Sequence, residues 1–275
     1  MPSDSTPATS ALSESPSGVD IGDPAVLAHI AHVVAAAAAD SVRSRLGRAR
    51  VVHTKSSPTD VVTQADLEVE ALIRRELLDE TPGAAISGEE EGSAAGTTAL
   101  RWIVDPIDGT INFLYNLPVM SVSIAAELDG TVVAGAVADV VRGEVFSGSR
   151  GQGVRCDGSM VTASKVDDLA DALVGTGFSY SAEDRSREGE IAALVLPATR
   201  DIRNFGSASL HLAWVAAGRL AAFYQRDLNE WDLAAGAFLA TEAGARVEYG
   251  SEENDGLLLA AAPGVFDQLR RLVTK

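Results

Sequence analysis

Trp102-Ile103-Val104-Asp105-Pro106-Ile107-Asp108-Gly109-Thr110 packs an apolar run, two aspartates, a proline and a glycine into nine consecutive residues. The apolar start predicts a buried strand over Arg101 to Val104. Asp105 then stands where the chain leaves the sheet, and Pro106 is expected to stop the strand. Asp108 follows one turn later. At that spacing two carboxylates and the Ile107 carbonyl can converge on one point, and a hard cation such as Mg²⁺ requires oxygen-only convergence of this kind. Gly109 and Thr110 open a short predicted helix ending before Pro118. Free N–H groups at a helix start suit a phosphate. Either Asp-Pro or Asp-Gly alone is ordinary turn chemistry. Both together, directly behind a buried strand, point to a site.

Two other acidic places bear on this one. Glu89, Glu90 and Glu91 follow a predicted strand, Ala84 to Ser87, and precede Gly92. Such a run is commonly a solvated face, but the strand aims its first glutamate at the sheet edge, as it does Asp105. Asp232, after Trp231, opens a predicted helix, where an acid is favourable for electrostatic reasons alone.

Outward from these segments the sequence alternates elements. Asp23 and Pro24 predict the start of a first helix and Gly47 its stop. Thr63 and Asp66 are spaced as a capping pair for a second, which Pro82-Gly83 ends. Val119 to Leu128 and Thr131 to Val141 flank Asp129-Gly130, a hairpin signal. Gly148 to Gly158 continues the β region. Strands are predicted at Leu173 to Thr176, Leu220 to Gln225 and Leu257 to Ala261. Helices are predicted at Ser207 to Ala217, Trp231 to Ala243 and Pro263 to Val273. The result is a layered α/β protein, divided into a Ser/Pro/Ala-rich disordered tail (1–20), an N-terminal α+β half (21–165) and a C-terminal α/β half (166–275).

Composition narrows the function. Apolar residues make up 46% of the sequence, enough for a sizeable core, and the formal net charge is −17. That charge repels nucleic-acid phosphate, so no nucleic-acid partner is expected. An acidic protein that handles an anionic substrate needs bound divalent cations to attract it. Cys156 is the single cysteine, which excludes an internal disulfide and a cysteine-rich zinc site, and makes the cytoplasm the expected compartment. His29 and His32 read as helix-surface residues. No signal peptide or membrane span is expected, because the run Ala31 to Ala39 is too short for a bilayer. The EF-hand, the P-loop and the serine-hydrolase elbow are all missing from the sequence. A glycosidase would use paired carboxylates but leaves Gly109-Thr110 without a purpose.

Lys55-Ser56-Ser57-Pro58-Thr59-Asp60, Gly88-Glu89-Glu90, Trp102 through Thr110, Gly206-Ser207-Ala208 and Trp231-Asp232-Leu233-Ala234-Ala235-Gly236 resemble, in order and spacing, the signature blocks of the inositol monophosphatase family. The resemblance covers residues 24–272. It implies a five-layered α-β-α-β-α sandwich, a homodimer, and a small phosphorylated polyol as substrate, myo-inositol monophosphate first. Histidinol phosphate, fructose bisphosphate and 3′-phosphoadenosine compounds are alternatives, and a non-catalytic protein binding a metal or phosphosugar is another. The resemblance also implies two or three Mg²⁺ ions. Glu89, Asp105 and the Ile107 carbonyl would hold the first, and Asp105, Asp108 and Asp232 the second. A third would sit near Glu89. Thr110 and Asp66, with Glu89, would be catalytic through the attacking water, and the Gly109 and Thr110 N–H groups would hold phosphate. Asp108, Gly206, Ser207, Ala208 and Gln225 would meet the substrate. Gln225 departs from the family, which typically carries a glutamate there, and Arg226, Asp227 and Glu230 are candidates to reshape the same pocket.

Overall fold

The computed structural model describes residues 20–55, 61–251 and 254–274. The expected tail, apart from Asp20, lies outside the described residues, as do Ser56 to Asp60 of the Lys55 block.

Helix α1 (Pro24–Arg43) begins where its punctuation predicts: the Asp23 side chain accepts from the Ala25 N–H at 2.8 Å. Helix α2 (Gln64–Glu80) is capped reciprocally, with Thr63 and Asp66 bonded side chain to backbone in both directions. The two helices lie on one face of an eight-stranded sheet, where Leu27, Val34, Ile73 and Leu77 bury against Val104, Ile124 and Ala136. Among the described residues α1 alone is long and apolar enough to cross a bilayer, but its apolar face is part of this core.

The sheet runs, edge to edge, through Ser159–Val161, Gly153–Cys156, Val145–Ser149, Thr131–Asp139, Ser121–Leu128, Leu100–Asp108, Ala85–Gly88 and Gly92–Ala94. All its pairings are antiparallel except that of Ala85–Gly88 with Leu100–Asp108. The hairpin at Asp129-Gly130 turns with both residues at positive φ, as its sequence requires. Helix α3 (Thr110–Leu114) leaves the end of the long strand.

A second sheet has the order Asp201–Arg203, Leu173–Thr176, Ala222–Gln225, Leu258–Ala261, Arg246–Glu248. Its outer face carries α4 (Ala182–Val195) and α7 (Pro263–Val273), which bury Ile191, Val195 and Leu269 against Val174 and Leu259. Between the sheets lie α5 (Ala208–Ala216) and α6 (Glu230–Glu242). They pack Leu212, Phe238 and Leu239 against Ile103, Val137 and Phe146 on one side and Phe223 and Leu258 on the other. Helices, sheet, helices, sheet, helices make the expected five-layered sandwich. Helix α4 is absent from the elements that the sequence predicts: its mostly polar residues bury only Glu188, Ile191 and Val195 and lack a continuous apolar stripe.

Gly236 sets how closely the middle helices approach. A Cβ there would lie 2.6 Å from the Leu212 Cβ and 3.0 Å from the Ser209 carbonyl oxygen. Neither atom is the free end of a flexible side chain. Gly236→Ala is therefore expected to destabilise by roughly 1–3 kcal/mol through overpacking, despite its better helix propensity. Urea unfolding measures this, and a variant as stable as the parent would show that the α5–α6 contact has slack.

Candidate active site

The register of two strands begins the site. Ala85–Gly88 runs parallel to Leu100–Asp108 with Gly88 opposite Val104, so Glu89, just past its strand, stands level with Asp105 on the neighbouring one. Pro106 does not stop the strand, contrary to the sequence-based expectation. The strand continues to Asp108, and its pairing with Ser121–Leu128 shifts between Asp105 (opposite Ser123) and Asp108 (opposite Ser121). Three steps on one strand face two on the other. This is a β-bulge, and it takes up the proline that has no ladder N–H to give. In a regular strand residues three apart point to opposite faces. The extra residue restores parity, and both carboxylates turn the same way.

Asp232 reaches them from the first turn of α6, where its carboxylate accepts from the Asn229 N–H at 2.7 Å. Asp105, Asp108 and Asp232 each offer an oxygen, and these oxygens lie within 4.8 Å of one another. Burial, then the charges of Glu89, Asp108 and Asp232, raises the Asp105 pKa well above the usual carboxylate range. Burial, with Asp108 and Glu89, pushes Asp232 up to about 8. Burial also raises Asp108, against the opposing pull of hydrogen bonds from Ser209 and Ser207. Among the described residues no lysine or arginine forms an ion pair with any of these three. The donor set is all oxygen, crowded and mutually repelling, and it fits a hard divalent cation.

Glu89 stands beside this group and is bonded to Lys55, whose ammonium reaches Glu89 Oε1 and Glu90 Oε1 at 2.8 Å each. Burial disfavours the Lys55 charge, but the two glutamates outweigh it and raise the lysine's pKa. The turn holding Glu89 is fixed from beneath by Glu70, which no sequence motif singles out. Its carboxylate is fully buried and accepts from the Glu90 N–H at 2.7 Å and the Glu91 N–H at 3.0 Å, and it pairs with Arg74 at 2.8 Å.

Thr110 opens α3. Its hydroxyl is 3.3 Å from Asp66 Oδ1 and 3.0 Å from the Ile107 carbonyl. Burial lifts the Asp66 pKa to about 6, against the hydrogen bonds from Thr63. Gly109 caps α3 at φ +102, and a Cβ there would come 3.0 Å from the Gly206 oxygen. That positive φ and that approach both call for glycine. Ser207 caps α5 and donates to Asp108 Oδ2 at 2.8 Å, and Ser209 donates to the same oxygen from both its N–H (2.6 Å) and its hydroxyl (2.7 Å). Asn112 ties the segment before them to α3, donating to the Phe205 and Val119 carbonyls.

The sequence-predicted residues fare differently. Glu89, Asp105, Ile107, Asp108, Gly109, Thr110, Asp66, Ser207 and Asp232 come together. Gly206 and Ala208 flank Ser207. Gln225 ends its strand with its amide against Gly177, whose added Cβ would lie 1.8 Å from Oε1. Arg226 is not available to a pocket: it is buried and donates to the Val273 carbonyl at 2.8 Å. Glu230 is likewise committed, to Arg101 at 2.9 Å and the Ser87 hydroxyl at 2.7 Å. Ser209 is missed because its partners are distant in the sequence, and Glu70 because Arg74 marks it only as an ordinary i,i+4 helix pair.

Crowded buried carboxylates beneath several helix starts, in a five-layered sandwich, define a hydrolase of phosphate esters. The inositol monophosphatase family matches this protein over residues 23–272. The inositol-1-monophosphatase SuhB of Mycobacterium tuberculosis H37Rv is 44% identical over 269 residues, covering 90% of this protein and 93% of that one. The Nus factor SuhB of Pseudomonas aeruginosa is 41% identical over 201 residues, 68% and 72% of the two sequences. The crystal structure of the extragenic suppressor protein suhB from Bartonella henselae superposes with a TM-score of 0.83 at 30% identity, covering 90% and 98%. This protein belongs to the inositol monophosphatase family, and it is a phosphoric monoester hydrolase.

The raised carboxyl groups have a measurable consequence. Each binds a proton more tightly folded than unfolded. Its contribution to stability is therefore full below the unfolded value, about 4 for an aspartate, and is lost as pH rises through the folded one. For Asp66 and Asp232 the folded values are about 6 and about 8. In EDTA the melting temperature should accordingly fall between about pH 4 and pH 8. Asp232→Asn should flatten that slope and melt above the parent at the alkaline end. Identical slopes for both proteins would contradict the assignment of Asp232 as a strained acid.

Proposed function

We propose that this protein hydrolyses the phosphate ester of a small polyol, myo-inositol monophosphate being the favoured substrate, with Mg²⁺ held by Glu89, Asp105, Asp108, Asp232 and the Ile107 carbonyl. The observation that carries this reading is the group of buried Asp105 and Asp108 with half-buried Asp232 near the start of α3, paired with no cationic side chain among the described residues. Divalent ions bound by these residues would supply positive charge for an anionic ester and would lower the pKa of a bound water. The remaining roles fall to the protein itself. The Thr110 hydroxyl takes a proton from that water as it hands its own to Asp66, so that the net transfer is from water to carboxylate, and the Asp66 pKa of about 6 suits it near neutral pH. The N–H groups of Gly109 and Thr110, unpaired within the helix, hold phosphate oxygens. Gly206 to Ala208 and Gln225 face the polyol. Gln225 ends a strand whose neighbour Leu173–Thr176 runs parallel to it, and ligands of open α/β sheets bind at such carboxyl ends. A cytoplasmic homodimer, each protomer comprising an N-terminal half (21–165) and a C-terminal half (166–275), completes the reading, supported by the single cysteine and by the family.

A second reading has one observation in its favour: the Pseudomonas aeruginosa relative is named a Nus factor. In that reading the fold serves as an interaction partner and its acids bind an ion without turnover. Phosphate release from a panel of phosphomonoesters, with and without Mg²⁺, separates the two. Turnover should require the ion, and Asp105→Asn or Asp108→Asn should cut it by on the order of a thousandfold at saturating Mg²⁺. Near-normal turnover in either variant would refute the site.

Gln225 is tested separately. A charged acceptor holds a buried hydroxyl more strongly than a neutral one by roughly 1 kcal/mol, so Gln225→Glu should lower KM for inositol 1-phosphate on the order of fivefold. KM for glycerol 2-phosphate should change less, and kcat should change less than KM. Equal shifts for both esters would mean that this position does not read the ring.

A further inference from the structure

The acids account for why a cation is wanted, but not for how Asp108 is oriented towards one. Its Oδ2 accepts from the Ser207 hydroxyl at 2.8 Å, the Ser209 hydroxyl at 2.7 Å and the Ser209 N–H at 2.6 Å. Ser121 faces Asp108 across the bulged strand pair, and its hydroxyl lies 2.8 Å from that of Ser207 and 2.9 Å from that of Ser209. All three serines are buried, the most exposed being Ser207 at 2%.

The proton count is tight. Ser207 and Ser209 each have one hydroxyl proton, and both protons point at the carboxylate, so their oxygens can only accept from Ser121. Ser121 has a single proton to share between them. It thereby holds each hydroxyl with its hydrogen turned towards Asp108. Three donors exhaust Oδ2 as an acceptor, and the Ala208 N–H also bonds the carboxylate, so the capacity that remains for a cation lies on Oδ1. The strand bulge supplies Asp108 and Ser121, while the start of α5 supplies Ser207 and Ser209.

We propose that Ser121 and Ser209 are positioning residues that lock the Asp108 carboxylate in one orientation and so set the affinity of the site for its divalent ion. This rests on the metal reading given above, but not on the choice of ester. Neither serine touches substrate in that reading. Ser121 touches no carboxylate at all and acts only through its neighbours' hydroxyls. Two effects oppose each other when a donor is removed. The carboxylate becomes more basic, which favours the ion, and it becomes free to rotate, which disfavours it. Loss of an outer-shell partner generally weakens metal binding, so orientation is expected to win.

The test is titration of metal-free protein with Mn²⁺, read by calorimetry and by the spin-resonance signal of the free ion. Ser209→Ala should weaken binding about tenfold and Ser121→Ala roughly threefold, the latter without removing any direct contact to the ligand. The double variant should fall short of the product of the two, because both serines act through one hydrogen-bonded group. At saturating metal, kcat and the KM for ester should stay within about threefold of the parent, with the loss appearing in the metal concentration needed for half-maximal rate. Melting in EDTA checks the fold of each variant, and Ser121→Ala carries the test should Ser209→Ala not fold. Mn²⁺ affinity equal to the parent's in both variants overturns the proposal. So does lower kcat at saturating metal with unchanged affinity. Parent protein that takes up no Mn²⁺ refutes the metal reading and this proposal with it. Tight uptake weakened by the substitutions, with no ester hydrolysed, leaves the positioning role standing and refutes the phosphatase reading.

Discussion

Crowding carboxylate oxygens of Asp105 and Asp108, both buried, and of half-buried Asp232 within 4.8 Å of one another is the constraint around which the molecule is arranged. Burial raises the pKa of all three, and the neighbouring carboxylates add to it at Asp105 and Asp232, because like charges at that distance resist coming together. They are held there by backbone geometry. The bulge at Pro106 turns two of them to one side of a strand that would otherwise send them to opposite faces. The capping box of α6 fixes the third by its own hydrogen bond to Asn229. Helices α2, α3, α5 and α6 all begin at this place, since Asp66, Thr110, Ser207 and Asp232 lie in their caps or first turns. The partial positive charge of those starts offsets some of the repulsion.

Around the acids runs a ring of ion pairs that keeps the supporting loops in place. Glu70, fully buried, receives two backbone N–H groups of the Glu89 turn and Arg74 beside them. Arg101 grips Glu127 on its own sheet at 2.8 Å and Glu230 on α6 at 2.9 Å. Of these pairs only Glu70–Arg74 is buried, and there the loss of Arg74 would leave the Glu70 charge uncompensated, which is far more damaging than the pair's net contribution suggests. These residues therefore belong to the support of the site although none of them faces it.

Much of this is legible in the sequence. Asp23-Pro24, the Thr63/Asp66 pair and Asp129-Gly130 act over a few residues and mark element boundaries directly. The Asp105 to Thr110 segment carries two of the three clustered acids and the start of α3. The bulge reads as a strand end, because a proline signals an interrupted ladder without saying whether the strand resumes. Helix α4 escapes notice because its buried residues, Glu188, Ile191 and Val195, form too thin a stripe to register as a period. Proximity in sequence places Arg226 and Glu230 at the pocket, and their side chains turn instead to Val273 and Arg101. Ser121 and Ser209 meet across 88 residues, and no local pattern marks such a pair.

Every residue of α5 from Ala208 to Ala216 is buried, so this helix has no solvent side. One of its flanks is the first sheet, one is the second, and α6 closes a third. A helix of nine residues with no polar face gains little on its own and must wait for its surroundings. The residues before it complete the eight-stranded sheet but leave one face bare, and the residues after it cannot form the five-stranded sheet without the strand at Leu173–Thr176. Folding should accordingly be a single cooperative event. On the ribosome, the acids of the first sheet would remain unassembled with Asp232 until α6 has emerged.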